Sequence, residues 1–246
     1  MSNLLKVKSQ RSQHVFSQML KAIEAGKKLF AILIDPEDFD LAAAKETLTR
    51  LPDFTTHIFV GGSTACAKST QATVQAIKKY TELPVLLFPG DHEQITAEAD
   101  ALLFLSLISG DNPEYLIHQQ VKAVEKLKDL DLEIIPTGYV LIDGGNETAV
   151  QRVSKTLPIA QDEIARIVNT ALAGEYTGKK MIYLEAGSGA KFAVNTSIVK
   201  AVKAEVSIPV IVGGGIRNRK QIKEIYNAGA DLIVVGTAFE NDQFSG

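Results

Sequence analysis

The sequence predicts a single (β/α)8 barrel over residues 1–246, and three observations carry that prediction. Short apolar, β-rich runs recur eight times along the chain, which is the strand number of the barrel. Helical patterns of crossover length separate most of them, without hairpin turns, and that order selects a parallel sheet. The length, 246 residues, suits one barrel of roughly 250 residues.

The eight runs are residues 29–34, 57–60, 85–88, 101–105, 133–135, 181–184, 210–212 and 232–235. Most lack strict alternation, as expected of parallel strands covered on both faces. Helices are expected at 41–51, 70–80, 113–127, 162–173, 196–204 and 218–228. Asn195, just before Thr196 and the apolar Ile198, Val199 and Val202, reads as an N-cap. Residues 89–100 hold only a weak, short helical pattern, so the third helix is expected to be reduced or replaced by a loop. Nine residues follow Thr237, leaving little room for an eighth helix. An extra N-terminal helix at 12–25 places Val15, Phe16, Met19, Leu20 and Ile23 on one face and is expected to close the barrel floor or cover that side. A polar loop of about twenty residues, 143–161, follows the fifth run; loops of that length are usually lids or partner contacts.

Composition narrows the function classes. A hydrophobic content of 46% and a charged content of 22% allow an ordinary core. A net charge of −3 with no basic stripe argues against a nucleic-acid partner held through its phosphates. The single cysteine, Cys66, cannot form an internal disulfide, and no Cys/His spacing suggests zinc. A reducing cytoplasm is the expected setting. The opening residues Met1 to Lys8 lack the apolar core of a secretory signal, and no apolar run reaches the ~18 residues of a membrane span. A lipid substrate or product would therefore be met at the protein surface, by peripheral membrane contact.

The last third of the chain carries three glycine-marked strand ends in succession. They are Tyr183-Leu184-Glu185-Ala186-Gly187-Ser188-Gly189, then Gly213-Gly214-Gly215, then Gly236-Thr237. Glycines there let backbone N–H groups turn toward a ligand, and the loops after strands seven and eight bind phosphate in many barrels. The expectation is an enzyme acting on a phosphorylated small molecule.

Individual residues at strand tips carry the chemistry. Asp35 ends the first run and precedes Pro36. It reads either as a catalytic carboxylate or as a cap for a helix opening at Pro36, and one carboxylate can do both. Gly61-Gly62-Ser63-Thr64 ends the second run. Ser63 there either ligates Mg²⁺ or touches phosphate, or Ser63 or Thr64 caps the next helix. Glu185 sits between an apolar run and Ala-Gly-Ser-Gly, where it can take a proton from a hydroxyl or bind two hydroxyls; the plainer alternative is a salt-bridged rim carboxylate. Tyr183 lies on the same side of its strand by period two. The four histidines do not cluster, and His57 is expected to pack. Asp38 and Asp40 are expected to be solvated.

Together, Leu33-Ile34-Asp35-Pro36, Val60-Gly61-Gly62-Ser63-Thr64, Tyr183 to Gly189, Val212 to Ile216 and Gly236-Thr237 resemble the geranylgeranylglyceryl phosphate synthase family, in order and spacing, from Leu29 to Glu240. The resemblance implies a prenyltransferase joining sn-glycerol 1-phosphate to a polyprenyl diphosphate, with Mg²⁺. It implies Asp35 and Ser63 as metal ligands and Glu185 on the glycerol hydroxyls. Tyr183, Leu184, Ala186, Gly187, Ser188, Gly189, Gly214, Gly215, Gly236 and Thr237 would hold the glycerol phosphate. Leu33 stands where some members have lysine, which points to the Leu-Ile-Asp-Pro subgroup and a homo-oligomer. Geranylgeranyl is the donor this subgroup implies, and heptaprenyl is the alternative. A dry groove for the tail would open beside Phe88, Pro89 and residues 102–105, which read equally as barrel core. Two rival readings share the glycine loops. One is a phosphosugar isomerase or lyase, which would want paired acids or a strand-tip lysine; Lys68 and Lys191 lie off the tips. The other is a non-catalytic phosphometabolite binder, which has no use for Asp35 with Ser63.

Overall fold

A computed structural model of the chain describes residues 14–62 and 65–240. Eight parallel strands close into one barrel in sequence order. They are β1 Leu29–Ile34, β2 His57–Val60, β3 Val85–Leu87, β4 Ala101–Leu107, β5 Glu133–Leu141, β6 Met181–Glu185, β7 Val210–Gly213 and β8 Leu232–Val235. The ring closes through β1 against β8, with Ala31 opposite Val234.

Period-two alternation sorts the strand residues into two layers. Odd-numbered residues such as Ala31, Phe59, Leu103, Tyr139, Tyr183 and Ile211 fill the barrel interior, with the parity reversed in β3 and β8, where Leu86, Leu232 and Val234 face inward. Even-numbered ones such as Ile32, Ile58, Leu102, Val140, Ile182 and Val212 pack outward under the helices. The same parity fixes what stands at the C-terminal tips. Asp35, Gly61, Glu185, Gly213 and Gly236 continue the inward series of their strands.

The helices are α1 His14–Glu24, α2 Ala44–Thr49, α3 Ala67–Lys78, α4 Gln119–Leu127, α5 Ala149–Ser154, α6 Ile164–Tyr176, α7 Thr196–Glu205, α8 Arg219–Asn227 and α9 Thr237–Glu240. A π-helical turn, Glu114–His118, runs directly into α4. As expected, α1 covers the floor. Val15 and Met19 join the inner core, and the N–H groups of Val15 and Phe16 donate to the Glu133 carboxylate at 2.8 and 3.2 Å. Residues 12 and 13 of the expected N-terminal helix lie outside the described residues. Asn195 caps α7 as expected, accepting from the Ser197 N–H. Among the described residues no helix joins β3 to β4.

Four expectations are corrected. The fifth strand runs on through Pro136 to Leu141; proline gives up one donor, but its carbonyl still accepts from the Lys180 N–H. The loop at 143–161 is not structureless, because Thr148 caps α5 and Ile142 bridges to Ile159. The helix after β2 begins at Ala67 and is capped by Cys66 through the Ser69 N–H. Asp35 opens a turn rather than a helix: its Oδ1 accepts from the Glu37 N–H at 3.0 Å, and no helix begins between Asp35 and Ala44.

Candidate functional site

A cleft of about 830 Å³ opens at the C-terminal end of the barrel, lined at one end by the glycine loops and at the other by the segments after β3 and β4. At the glycine end, Gly187, Gly189, Gly214 and Gly215 all have positive φ, from 70° to 98°, a region that favours glycine. The N–H groups of Ser188, Gly189, Gly214 and Gly215 donate to no acceptor among the described residues. A Cβ on Gly214 would fall 2.6 Å from the Gly187 nitrogen, so the loops after β6 and β7 meet backbone to backbone. Ser188 Oγ lies 2.8 Å from Thr237 Oγ1, which brings in the loop after β8. Free main-chain donors gathered from adjacent loops form an anion cradle.

Glu185 stands at the centre of the cleft. It is 6% exposed, and its Oε1 accepts from the Gly187 N–H at 2.6 Å. Gly213, its neighbour on β7, gives it room, since a Cβ there would lie 2.5 Å from both Glu185 Oε2 and the Tyr183 hydroxyl. Burial pushes the Glu185 acid up to about 7, against the opposing pull of the Tyr183 hydroxyl and the Gly187 N–H. The Tyr183 hydroxyl is itself fully buried and finds no partner with full hydrogen-bond geometry, although it lies close enough to favour the Glu185 charge. Tyr139 stacks beside Tyr183 with ring centroids 5.5 Å apart, and Phe88 meets Tyr183 at 5.2 Å. Burial, then the Glu185 charge, raises both phenols well above their ordinary range.

Across the cleft, the Asp35 carboxylate lies over Gly62, where a Cβ would come within 2.2 Å of Oδ2. Burial raises the Asp35 acid, partly offset by the Glu37 N–H, and the Asp38 charge raises it further. Gly61 admits the chain after β3, because a Cβ there would overlap the Phe88 carbonyl oxygen at 1.8 Å. Gln94, 1% exposed, fastens these two segments. Its Nε2 donates to the Gly62 and Ala65 carbonyls at 2.9 and 2.7 Å, and its Oε1 accepts from the Gly90 N–H at 3.0 Å. Phe88, Pro89, Leu102, Leu103, Phe104 and Leu105 line the cleft here, where the helix between β3 and β4 is missing.

Hard oxygen donors suit Mg²⁺, which typically takes one or two carboxylates and leaves its other positions to water and substrate phosphates. Asp35 fits that donor set, with the exposed Asp38 at the same mouth. Among the described residues no group of three or more His, Cys, Asp or Glu could hold a metal. Ser63, the other expected ligand, lies outside the described residues.

Most residues expected at the site do meet in one cleft: Asp35, Tyr183, Glu185, Gly187, Ser188, Gly189, Gly214, Gly215, Gly236 and Thr237 all line it. Leu184 and Ala186 do not. They sit on the outward parity of β6 and its extension, buried in the outer core, so their side chains face away from any ligand. His57 packs as expected, and burial lowers it to about 4. The sequence reading passed over Tyr139, Gln94 and Arg217. Tyr139 was hidden by Pro136 and Gly138, which read as a strand break; Gln94 fell in a segment with no periodicity. Arg217 stands two residues past the tri-glycine bend, and that nearness is the one local signal of the three.

Comparison with known proteins agrees with this geometry. The sequence profile of the PcrB family matches residues 22–245. A geranylgeranylglyceryl phosphate synthase of Zunongwangia profunda is 58% identical over 94% of this chain and 98% of its own length. One of Pyrococcus abyssi is 39% identical, over 89% and 87%. The crystal structure of (S)-3-O-geranylgeranylglyceryl phosphate synthase from Thermoplasma acidophilum, in complex with its substrate sn-glycerol-1-phosphate, superposes with a TM-score of 0.84 at 38% identity, over 92% and 91%. A thiamine phosphate pyrophosphorylase from Pyrococcus furiosus, at 16% identity and a TM-score of 0.53, shares the fold alone.

Proposed function

The chain belongs to the PcrB family and is a prenyltransferase of the geranylgeranylglyceryl phosphate synthase type; on that premise we propose how its residues divide the reaction. The acceptor is sn-glycerol 1-phosphate and the donor geranylgeranyl diphosphate, with Mg²⁺. The products are the ether-linked geranylgeranylglyceryl phosphate and diphosphate. The observation that carries the reading is Glu185, an acid poised near neutrality between an anion cradle and an aromatic, apolar arm.

The acceptor phosphate takes the free N–H groups of Ser188, Gly189, Gly214 and Gly215, which turns the glycerol hydroxyls toward Glu185. The Glu185 carboxylate accepts the proton of the C3 hydroxyl. The hydroxyl oxygen forms a bond to C1 of the donor as the C1–oxygen bond to diphosphate breaks, and the electron pair leaves with the diphosphate. Mg²⁺, when bound, supplies Lewis-acid stabilisation of that departing charge, with Asp35 and Ser63 as its protein ligands. Tyr183 offers its unpartnered hydroxyl to the acceptor. Phe88 and Tyr139 help to exclude water along the arm that takes the prenyl tail, where each buried CH₂ contributes about 0.8 kcal/mol.

The setting is part of the same proposal: a cytoplasmic protein that meets the membrane peripherally to hand over its lipid product. Support comes from the described residues, where no helix is long and apolar enough to cross a membrane. Self-association belongs here too. Ile117, Val121 and Val124, between 52% and 63% exposed, follow one another along the π-turn and α4, and an apolar stripe of that kind suits a second copy. Sedimentation equilibrium of the purified protein tests it, and a monomer at micromolar concentration would end it.

The decisive assay incubates the protein and Mg²⁺ with sn-glycerol 1-phosphate and donors of graded length, with sn-glycerol 3-phosphate as the stereochemical control. The expected result is an acid-stable prenyl ether from the 1-phosphate, formed fastest with geranylgeranyl diphosphate. Equal use of both glycerol phosphates would overturn the acceptor assignment, and faster reaction with heptaprenyl diphosphate would overturn the donor.

A further inference from the structure

The loops after β6 and β7 form the anion cradle only while they hold a fixed relation, and one side chain spans them. Arg217 follows the tri-glycine bend and lines the cleft, half-buried. Its guanidinium donates to the Ala190 carbonyl at 2.6 Å and the Lys191 carbonyl at 3.2 Å, both beyond the Gly187 to Gly189 turn. It also reaches back to the Gly215 carbonyl at 3.4 Å. Its own backbone N–H donates to Gln221 Oε1 at 2.8 Å, which anchors it to the first turn of α8. Among the described residues no other side chain hydrogen-bonds from one of these loops to the other.

A planar peptide ties each carbonyl to the next N–H, so holding the Ala190, Lys191 and Gly215 carbonyls fixes the peptide planes that carry the Lys191, Phe192 and Ile216 N–H groups, which flank the cradle donors on both loops. The guanidinium suits this because its five donors form a rigid fork. Behind it, Gly215 packs so tightly that a Cβ would stand 2.7 Å from the Phe192 carbonyl group. The Lys191 and Phe192 N–H groups are drawn the other way, to the Gly144 carbonyl at 2.8 and 3.0 Å. The 190–192 segment is thereby held from both sides, while the N–H groups of Ser188, Gly189, Gly214 and Gly215 stay unengaged among the described residues.

We propose that Arg217 is a positioning residue for the acceptor phosphate: it clamps the loop after β6 to the loop after β7 and so presets the spacing of the main-chain donors. The inference rests on the acceptor reading above. The clamp acts through backbone geometry, so charge alone does not replace it.

The test compares Arg217→Lys and Arg217→Ala with the unaltered protein, after circular dichroism and thermal unfolding establish that each is folded. Steady-state KM is measured for each substrate separately, and binding of sn-glycerol 1-phosphate alone is followed by calorimetry. Both variants are expected to raise the acceptor KM by about tenfold or more, with the donor KM unchanged within error, and lysine is expected not to rescue. Restoration by lysine would instead make Arg217 a direct charge partner of the phosphate and overturn the clamp. Parallel rises in both KM values, or no change in either, would overturn it as well. If Arg217→Ala does not fold, Gln221→Ala removes the acceptor of the Arg217 N–H without touching a cradle donor and is expected to show the same split. A failure of the unaltered protein to bind sn-glycerol 1-phosphate would remove the acceptor reading itself, a result distinct from any of these.

Discussion

The loops after β6 and β7 present main-chain N–H groups to the cleft, whereas the segments after β1, β2 and β3 present a carboxylate and apolar side chains, with Gln94 tying the chain after β2 to the chain after β3. The first region gains its shape from glycines with positive φ and from close backbone contact. The second lies where, among the described residues, no helix joins β3 to β4, and the half-buried Phe104 and Leu105 line the cleft there. A small, fixed anion is suited to preset donors that need no rearrangement. A long hydrocarbon needs area more than direction. The contrast therefore sets two kinds of fault. Damage to the glycine end should fall on the acceptor, and damage to the other end on the donor.

Glu185 sits where the two regions join, so its loss should break both. Glu185→Gln is expected to lower kcat by about 10²–10⁴-fold and to abolish the acid limb of the rate profile. In the unaltered protein that limb follows an acid near 7, with activity rising as pH rises because the carboxylate is the active form. A stability signature accompanies it. The folded-state value lies above the ordinary 4.5, so the fold binds the proton more tightly than the unfolded chain does. Stability is then greatest below the unfolded value and is lost as pH rises through the folded one. The glutamine variant lacks this loss, so its thermal midpoint should exceed that of the unaltered protein at about pH 8 and match it near pH 4. A profile that keeps its acid limb in the variant would remove Glu185 as the base.

Asp35→Asn tests the donor region and should cost on the order of 10²-fold in turnover. The Mg²⁺ concentration for half-maximal rate should rise and the acceptor KM stay put; unchanged Mg²⁺ dependence would take Asp35 out of the metal site. Gln94→Leu sharpens the comparison further. It strands the Gly62 and Ala65 carbonyls and the Gly90 N–H, at about 3 kcal/mol, or roughly 10 °C in the unfolding midpoint. The donor KM should rise and the acceptor KM should not, the mirror image of the Arg217 variants. The smallest effect is expected for Tyr183→Phe. Removing a buried hydroxyl without a partner should leave the unliganded protein unchanged or stabilise it by up to about 1 kcal/mol, while weakening acceptor binding. Differential scanning calorimetry with and without sn-glycerol 1-phosphate reads both halves.

The same contrast decides what could be read from the sequence. Backbone recognition leaves a compositional trace, because only glycine serves at Gly187, Gly214 and Gly215 without strain. Strand-tip parity then placed Asp35 and Glu185 correctly from the apolar runs before them. Recognition by tertiary reach leaves no such trace. Gln94 and Arg217 matter through carbonyls 29 to 32 and 26 to 27 residues away, and no local pattern announces that. Tyr139 was lost because Pro136 and Gly138 lower strand propensity, while the ladder with β4 and β6 carries the strand through them. Leu184 and Ala186 belong to the motif but not to the cleft, because alternation turns every second side chain away.

The α1 helix stoppers the lower end of the barrel, with its first N–H groups tied to Glu133 at the root of β5. Traffic is thereby confined to the upper rim, and the ether product must retreat along the path its precursors used. A product that keeps the donor's whole hydrocarbon tail occupies that path until it departs, so its release competes with entry of the next donor.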